Sequence, residues 1–275
     1  MFHLLCKLLL KNNYGIFYRE VADLSSVAIL IHMGKFLIDE LSVFFPCYNE
    51  EKNIQKTVSK AISILKKIAR EWEIILVNDG SKDNTEKVLG EIKKQYSNDD
   101  IKIITHHPNR GYGAALKSGL YNAKYQWIAF TDSDGQFDFS EITKFIKKQQ
   151  ITQADLVIGY YLSRKVSKTT IITSKIWEFI VFILFGLKVK DIDCGFKLIN
   201  KKVIDTIPKL EAERGAFISS EFLIKAKKSG FKIVELGVHH YPRTEGQATG
   251  RNIKVILKSF SDLFHLWFKI NFTRA

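Results

Sequence analysis

The pattern of apolar residues alternates between that of buried strands and that of amphipathic helices over most of the chain after Leu41. Continuous apolar runs, such as the one at Glu73–Val77, are typical of parallel strands that are covered on both faces. Between such runs, apolar residues recur every three or four positions, as in residues 51–69, which predicts helices. Repeated strand–helix units with short connections predict an α/β fold, a mostly parallel, doubly wound sheet with helices on both faces.

The same reasoning assigns elements along the rest of the chain. Strands are predicted at residues 41–45, 73–77, 101–105, 127–131, 155–159, 196–199 and 232–240. Helices are predicted at residues 51–69, after Asp83, and at 113–123, 140–149, 176–187, 221–228 and 252–270.

Length and composition limit the classes of protein that remain. The chain has 275 residues, 46% of them hydrophobic, which is enough for a sizeable core in one large or two small domains. Its three cysteines, Cys6, Cys47 and Cys194, have no paired spacing, so they indicate neither a zinc site nor a disulfide framework and favour a reducing cytosol. The net charge of +13 indicates an anionic partner, which could be nucleic acid, a membrane surface or a phosphorylated substrate.

Two segments bear on membrane contact. The apolar run 176–187 is too short to span a bilayer, which takes about 20 residues, and it contains Glu178, so we interpret it as a buried or interfacial helix. The segment 251–275 is predicted to form a basic amphipathic helix that lies on a membrane surface or packs on its own domain. Residues 1–32 are expected to be an N-terminal extension outside the fold, which leaves 33–250 as the main domain.

An acidic cluster directly follows the predicted strand 127–131. Asp132 and Asp134 lie one residue apart there, followed by Gln136. Two such carboxylates repel each other unless a positive group binds, and a hard divalent cation with oxygen ligands is the natural candidate. The loops that begin at Pro46 and Asn78 also follow predicted strands. Because ligands of open α/β sheets bind beyond the carboxyl ends of the strands, these three loops predict an active site.

Four sequence motifs, in this order along the chain, resemble those of a known protein family. They are Pro46–Glu51 (PCYNEE), Val77–Thr85 (VNDGSKDNT), Asn109–Gly113 (NRGYG) and Asp132–Gln136 (DSDGQ). Over about residues 40–250 the chain resembles glycosyltransferase family 2, whose fold is the GT-A nucleotide-diphospho-sugar transferase fold. Three later segments are similar to the polyprenyl-phosphate (dolichol-phosphate-like) mannosyl- and glucosyltransferases: Asp191–Lys197, Ser219–Glu221 and Pro242–Gly250.

The resemblance implies a metal-dependent, inverting glycosyltransferase. It would move a hexose from a nucleotide-diphosphate sugar, of the GDP-mannose or UDP-glucose type, to a polyprenyl phosphate. It would act as a peripheral protein on the cytoplasmic, inner face of a membrane. The implied cofactor is Mg²⁺ or Mn²⁺, held by Asp132, Asp134 and Gln136.

The resemblance also implies roles for individual residues. The implied nucleotide-sugar site comprises Pro46, Tyr48, Asn49, Glu50, Asp79, Gly80, Ser81, Gly111 and Asp132. The implied catalytic residues are Asp132, Asp134, Glu221 and Arg243. The residues implied to bind the acceptor phosphate are Arg164, Lys197, Arg243 and Thr249. Of these residue types, arginine best matches the geometry of a phosphate group.

Other interpretations of these residues remain open at this point. Glu50 and Glu51 could simply be an acidic pair at a helix N-terminus, and Gly80–Ser81 could be an ordinary turn. The acceptor could instead be a hydroxyl of a glycan or lipid-linked saccharide, with Asp193 or Glu221 as general base. A non-catalytic basic module that binds nucleic acid is a further alternative, although no nucleic-acid motif accompanies the positive charge.

Overall fold

A computed structural model describes residues 36–163, 168–215, 217–243, 245 and 253–272. The expected N-terminal extension, residues 1–32, lies outside the described residues. Within the described ranges, every helix is too short or too polar to cross a bilayer.

The described part of the chain contains a seven-stranded sheet. Its strands are β1 Ile38–Cys47, β2 Ala69–Asn78, β3 Ile101–Thr105, β4 Trp127–Phe130, β5 Leu156–Tyr161, β6 Lys197–Asn200 and β7 Ile233–Val238. They lie in the order β3-β2-β1-β4-β6-β5-β7. The pairs β1–β2, β2–β3, β1–β4 and β5–β7 are parallel, whereas β6 is antiparallel to both β4 and β5. The mostly parallel sheet is therefore confirmed, with one reversed strand that the sequence pattern did not indicate.

Each predicted helix is present in the described ranges, with a single short addition, but α5 begins eight residues and α7 four residues before the predicted start. They are α1 Ile54–Ile68, α2 Thr85–Gln95, α3 Tyr112–Asn122, α4 Ile142–Thr152, α5 Lys168–Phe185, α6 Lys201–Thr206, α7 Phe217–Lys228 and α8 Ile253–Phe272. The addition is α6, which begins where the Asn200 side chain accepts a hydrogen bond from the Lys202 N–H. Six residues are too few to show a helical period, so the sequence pattern missed it.

Two apolar cores cover the two faces of the sheet. Alternate residues of β1 divide between them: Phe44 faces α3, α5, α7 and α8, and Phe45 faces α1, α2 and α4. Each fully buried side chain of this size contributes about 1.5–3 kcal/mol. Helix α3 lies so close to β1 that a Cβ on Gly119 would overlap the Phe44 ring, which explains a glycine inside this helix.

The winding of the sheet places three loops at one edge. From β1 the chain proceeds through β2 to β3 on one side, and β4 then pairs with the other side of β1. Cys47 at the end of β1 is level with Asn78 at the end of β2, and Phe44 is level with Phe130 at the end of β4. Their following loops therefore meet at a topological switch point, where doubly wound sheets bind ligands.

Helix α8 packs on its own domain and also has an exposed apolar face. Leu263 and Leu266 are buried in the core on the α7 side, so the helix packs on the domain. Phe264, Phe268 and Phe272 are each more than half exposed. Contact of this exposed face with a membrane stays a prediction.

Candidate active site

Side chains and backbone groups join the loops after β1, β2 and β4 to one another. The Asn49 N–H donates to Ser81 Oγ (3.0 Å), and the Lys82 N–H donates to Asn49 Oδ1 (2.8 Å). The Ser133 hydroxyl donates to the carbonyl of Pro46 (2.7 Å). Asn49 itself has a left-handed backbone with φ of 57°, a conformation that asparagine tolerates better than most residues. Polar residues predicted to bind nucleotide thus also hold the first two loops together.

The two carboxylates of the acidic cluster lie close to each other. Asp134 is buried and accepts a hydrogen bond from the Gln136 N–H (3.0 Å), while Asp132 accepts one from the Tyr112 hydroxyl (3.0 Å). Burial, together with the charge of Asp134, raises the pKa of Asp132 to about 7. A Cβ on Gly195 would overlap the Asp132 carboxylate, so the loop before β6 can approach this carboxylate only with a glycine there.

Arg243 joins the acidic cluster to the first loop. Its Nη2 donates to Asp134 Oδ2 (2.6 Å), and its Nη1 donates to Glu50 Oε1 (3.4 Å). Burial raises the pKa of Glu50, although the Asn53 amide and Arg243 act in the opposite direction. Two buried carboxylates from separate loops therefore share one guanidinium, which can reach anionic groups bound at the same edge.

The residues predicted to hold a divalent cation fit that role by the chemistry of their donor atoms. Asp132 and Asp134 offer hard carboxylate oxygens, whose mutual repulsion a cation would relieve. The Gln136 side-chain amide donates to the Tyr241 carbonyl (2.9 Å), which leaves its Oε1 as the potential ligand atom. Across the described ranges, no three His, Cys, Asp or Glu side chains are grouped to hold a metal alone. The remaining ligands would have to come from a bound diphosphate or water.

Asp79 is a structural organiser of the site. Its Oδ1 accepts from the Arg110 N–H (3.0 Å) and lies 2.7 Å from His106 Nδ1; its Oδ2 accepts from the Asn109 amide and the Gly111 N–H (both 2.8 Å). A carboxylate only accepts hydrogen bonds, so Nδ1 of His106 carries the proton. With two bonds on each oxygen, Asp79 fixes the glycine loop that leads into α3, and its place in the nucleotide-sugar site stays a prediction.

His106 is a site residue that sequence reasoning missed. It is 6% exposed, and its other ring nitrogen lies 2.9 Å from Ser118 Oγ, so it links Asp79 to α3. The available signal was its position: it directly follows β3 at the carboxyl edge of the sheet.

Two glycines of the predicted nucleotide-sugar site have backbone conformations that other residues rarely adopt. Gly80 has φ of 65°, and a Cβ there would lie 2.6 Å from the Asn109 nitrogen. Gly111 has φ of 105°, and a Cβ there would lie 2.7 Å from the Glu213 carbonyl oxygen. Both positions need glycine because of backbone strain and close approach.

Glu221 lies buried beneath the loop at 211–214. Its carboxylate accepts from the backbone N–H groups of Glu211 (2.8 Å) and Ala212 (2.8 Å) and from Lys225 Nζ (2.5 Å). The Glu213 carbonyl in turn accepts from the Ala114 N–H (3.1 Å). This placement favours a role in supporting the start of α3, and the predicted catalytic role of Glu221 stays a prediction.

Two of the four predicted acceptor-binding residues, Lys197 and Arg243, lie in the part of the chain that the structure describes. Lys197 is 1% exposed, and its ammonium donates to the carbonyls of Cys194 (2.5 Å) and Ile192 (3.3 Å). Burial lowers the pKa of Lys197, and contact with a phosphate would require the overlying loop to open. Arg164 and Thr249 lie outside the described residues. The charges of both described residues act on Asp132, but Arg243 is the one that is partly exposed and forms an ion pair with the acidic cluster.

Comparison with known proteins identifies the family. The model of glycosyl transferase family 2 matches residues 42–207. The human dolichyl-phosphate beta-glucosyltransferase is 31% identical over 73% of this chain and 67% of its own length. The Saccharomyces cerevisiae enzyme of that name is 33% identical over 72% of this chain and 66% of its own. The dodecaprenyl-phosphate galacturonate synthase of Rhizobium johnstonii is 28% identical over 84% of this chain and 68% of its own length.

Solved structures agree on the fold. The Mycobacterium tuberculosis glucosyl-3-phosphoglycerate synthase in complex with Mn²⁺, UDP-glucose and phosphoglyceric acid superposes with a TM-score of 0.59 and 17% identity. The match covers 92% of this chain and 85% of that one, which confirms the expected GT-A fold. Because the family model matches residues 42–207, more than half of its length, the chain belongs to glycosyltransferase family 2. Within that family it is similar to the polyprenyl-phosphate sugar transferases.

Proposed function

We propose that this enzyme transfers a hexose from a nucleotide-diphosphate sugar to a polyprenyl phosphate, as a peripheral protein on the cytoplasmic face of a membrane. The human, yeast and Rhizobium relatives are named for dolichyl or dodecaprenyl phosphate, which supports the acceptor class. Two of these names specify glucose, so a UDP-glucose type of donor takes precedence over GDP-mannose.

The observation that carries the proposal is the meeting of Glu50, Asp134 and Arg243 at the carboxyl edge of the sheet. Asp132 and Asp134 would hold Mg²⁺ or Mn²⁺ there, with Gln136 beside them. When bound, the ion neutralises charge that develops on the departing nucleoside diphosphate. Arg243, which pairs with Asp134 and Glu50 at this edge, would supply a guanidinium for a phosphate group bound there.

Glu221 and Asp193 are the two candidate general bases, and the contacts of Glu221 favour a phosphate acceptor over a hydroxyl. A hydroxyl nucleophile needs a general base, and both oxygens of this candidate base are occupied by backbone N–H groups and Lys225. A polyprenyl phosphate is already anionic at neutral pH. One of its oxygens can form the bond to the anomeric carbon while the bond to the diphosphate breaks, so a single displacement inverts the configuration.

Product chemistry tests the proposal. Incubation with labelled UDP-glucose, Mn²⁺ and a polyprenyl phosphate is expected to give a lipid-soluble sugar phosphate that is labile to mild acid and stable to alkali. The matched control is the free polyprenol, which lacks only the phosphate and is expected to accept no sugar. A labelled product that is stable to mild acid, or transfer to the polyprenol, would instead support the hydroxyl-acceptor alternative.

A further inference from the structure

Helix α5 has an exposed apolar face. The helix is apolar around most of its circumference, a property of helices that are buried on all sides. Val181 and Phe185 do enter the core, but the opposite side of the helix faces solvent. Residues there that are at least half exposed follow helical spacing: Ile172, Ile176, Phe179 and Ile183. A contiguous exposed apolar surface of this kind marks an interaction site.

A lysine-rich groove adjoins this face. The chain turns back after α5, and Lys175 Nζ on the helix donates to the carbonyl of Lys190 (2.7 Å), so the returning segment runs beside the exposed side. The groove has a volume of about 490 Å³, and its charged lining consists of one glutamate, Glu235, and four lysines: Lys148, Lys188, Lys190 and Lys227. Lys190 Nζ lies 4.2 Å from the centre of the Tyr160 ring. The groove therefore carries a net positive charge directly beside apolar side chains.

We propose that the α5 face and the lysine groove together form a docking face for a bilayer that contains anionic phospholipids. The apolar side chains would enter the interface between headgroups and acyl chains, and the lysines would contact lipid phosphates. A second copy of this chain fits the surface poorly, because pairing would bring two lysine grooves together in a protein of net charge +13. The inference deepens the proposed function, on which it rests, since a lipid-linked acceptor has to be reached at a membrane.

Vesicle binding tests the docking face. The protein is expected to co-sediment with mixed phosphatidylcholine–phosphatidylglycerol vesicles and only weakly with pure phosphatidylcholine. The double substitution Phe179→Ser/Ile183→Ser is expected to lower the partition coefficient at least about tenfold. The double substitution Lys188→Gln/Lys190→Gln is expected to lower it roughly fivefold for each charge removed.

Matched controls separate the docking face from general effects of hydrophobicity and charge. Tyr121→Ser removes an aromatic side chain that is 44% exposed on α3, and Lys93→Gln/Lys94→Gln removes two exposed lysines from α2. Both controls are expected to bind vesicles like the wild type. Equal losses in control and test variants, no preference for anionic vesicles, or a dimer in solution that the α5 substitutions break would each overturn the proposal.

A second assay separates this inference from the proposed function. Turnover with a water-soluble, short-chain isoprenyl phosphate needs the active site and no bilayer, so the docking variants are expected to keep wild-type rates with it. If the wild-type protein turns over the short-chain substrate but does not bind vesicles, the docking face is refuted and the proposed function is not. Vesicle binding without any turnover by the wild type refutes the proposed function and leaves the docking face standing.

Discussion

Replacing Asp134 with asparagine is expected to lower the rate of sugar transfer at least about a thousandfold, equivalent to about 4 kcal/mol of transition-state stabilisation. The carboxylate is one of two that would hold the divalent cation, and it is the partner of Arg243 at 2.6 Å. Asparagine keeps the shape and an acceptor oxygen but removes the charge. The effect is measured as kcat/KM with saturating Mn²⁺ and polyprenyl phosphate.

The fold is expected to survive this substitution. Removing the Asp134 charge also removes its repulsion of Asp132, which offsets part of the weakened contact with Arg243. The free energy of unfolding without metal should therefore change by less than about 2 kcal/mol. Asp39→Asn, in an exposed pair with Arg70, is the matched control and is expected to retain full activity. Near wild-type transfer by Asp134→Asn would show that this carboxylate neither holds the metal nor serves the reaction.

Replacing Asp79 with alanine is expected to lower the free energy of unfolding by about 3–5 kcal/mol. The substitution removes the acceptor of four hydrogen bonds and leaves the N–H groups of Arg110 and Gly111 without their partner at a partly buried site. The glycine loop would lose its fixed conformation, and affinity for nucleotide should fall with it. Urea denaturation followed by circular dichroism measures the stability change.

Two further variants sharpen the interpretation of Asp79. Asp39→Ala makes the same chemical change at an exposed surface pair and is expected to cost less than about 1 kcal/mol. Asp79→Asn keeps one acceptor oxygen but turns an amide NH₂ toward two donors, so it should remain substantially destabilised. A loss below about 1 kcal/mol for Asp79→Ala would contradict the organising role and would favour a direct role in binding the base.

The sequence predicted the fold well because its strongest signals are local. Strand β3 begins and ends at the predicted residues, 101–105, since an apolar run between polar turns has one consistent interpretation. The meeting of the loops after β1, β2 and β4 followed from a general property of parallel sheets. It brought Asp134 and Glu50 to the same edge, as predicted.

Other features depend on contacts that no local pattern encodes. The apolar residues of β6 indicate burial but not strand direction, so its antiparallel pairing could not be predicted. Lys197 begins that strand between two neighbours, and its side chain is therefore buried under a loop although a lysine is usually exposed. The four bonds of Asp79 join residues about 30 positions apart, which becomes visible only in three dimensions.

The most direct test of this account is the thermal stabilisation of the wild-type protein by donor nucleotides, with and without Mn²⁺. The panel comprises UDP, UDP-glucose, UDP-galacturonate, GDP and GDP-mannose. We predict an increase in the melting temperature with the uridine ligands that requires Mn²⁺ and is absent in Asp134→Asn. A folded protein whose melting temperature none of these ligands changes, in the presence of Mn²⁺, would contradict the presence of a nucleotide-sugar site at the switch point of the sheet.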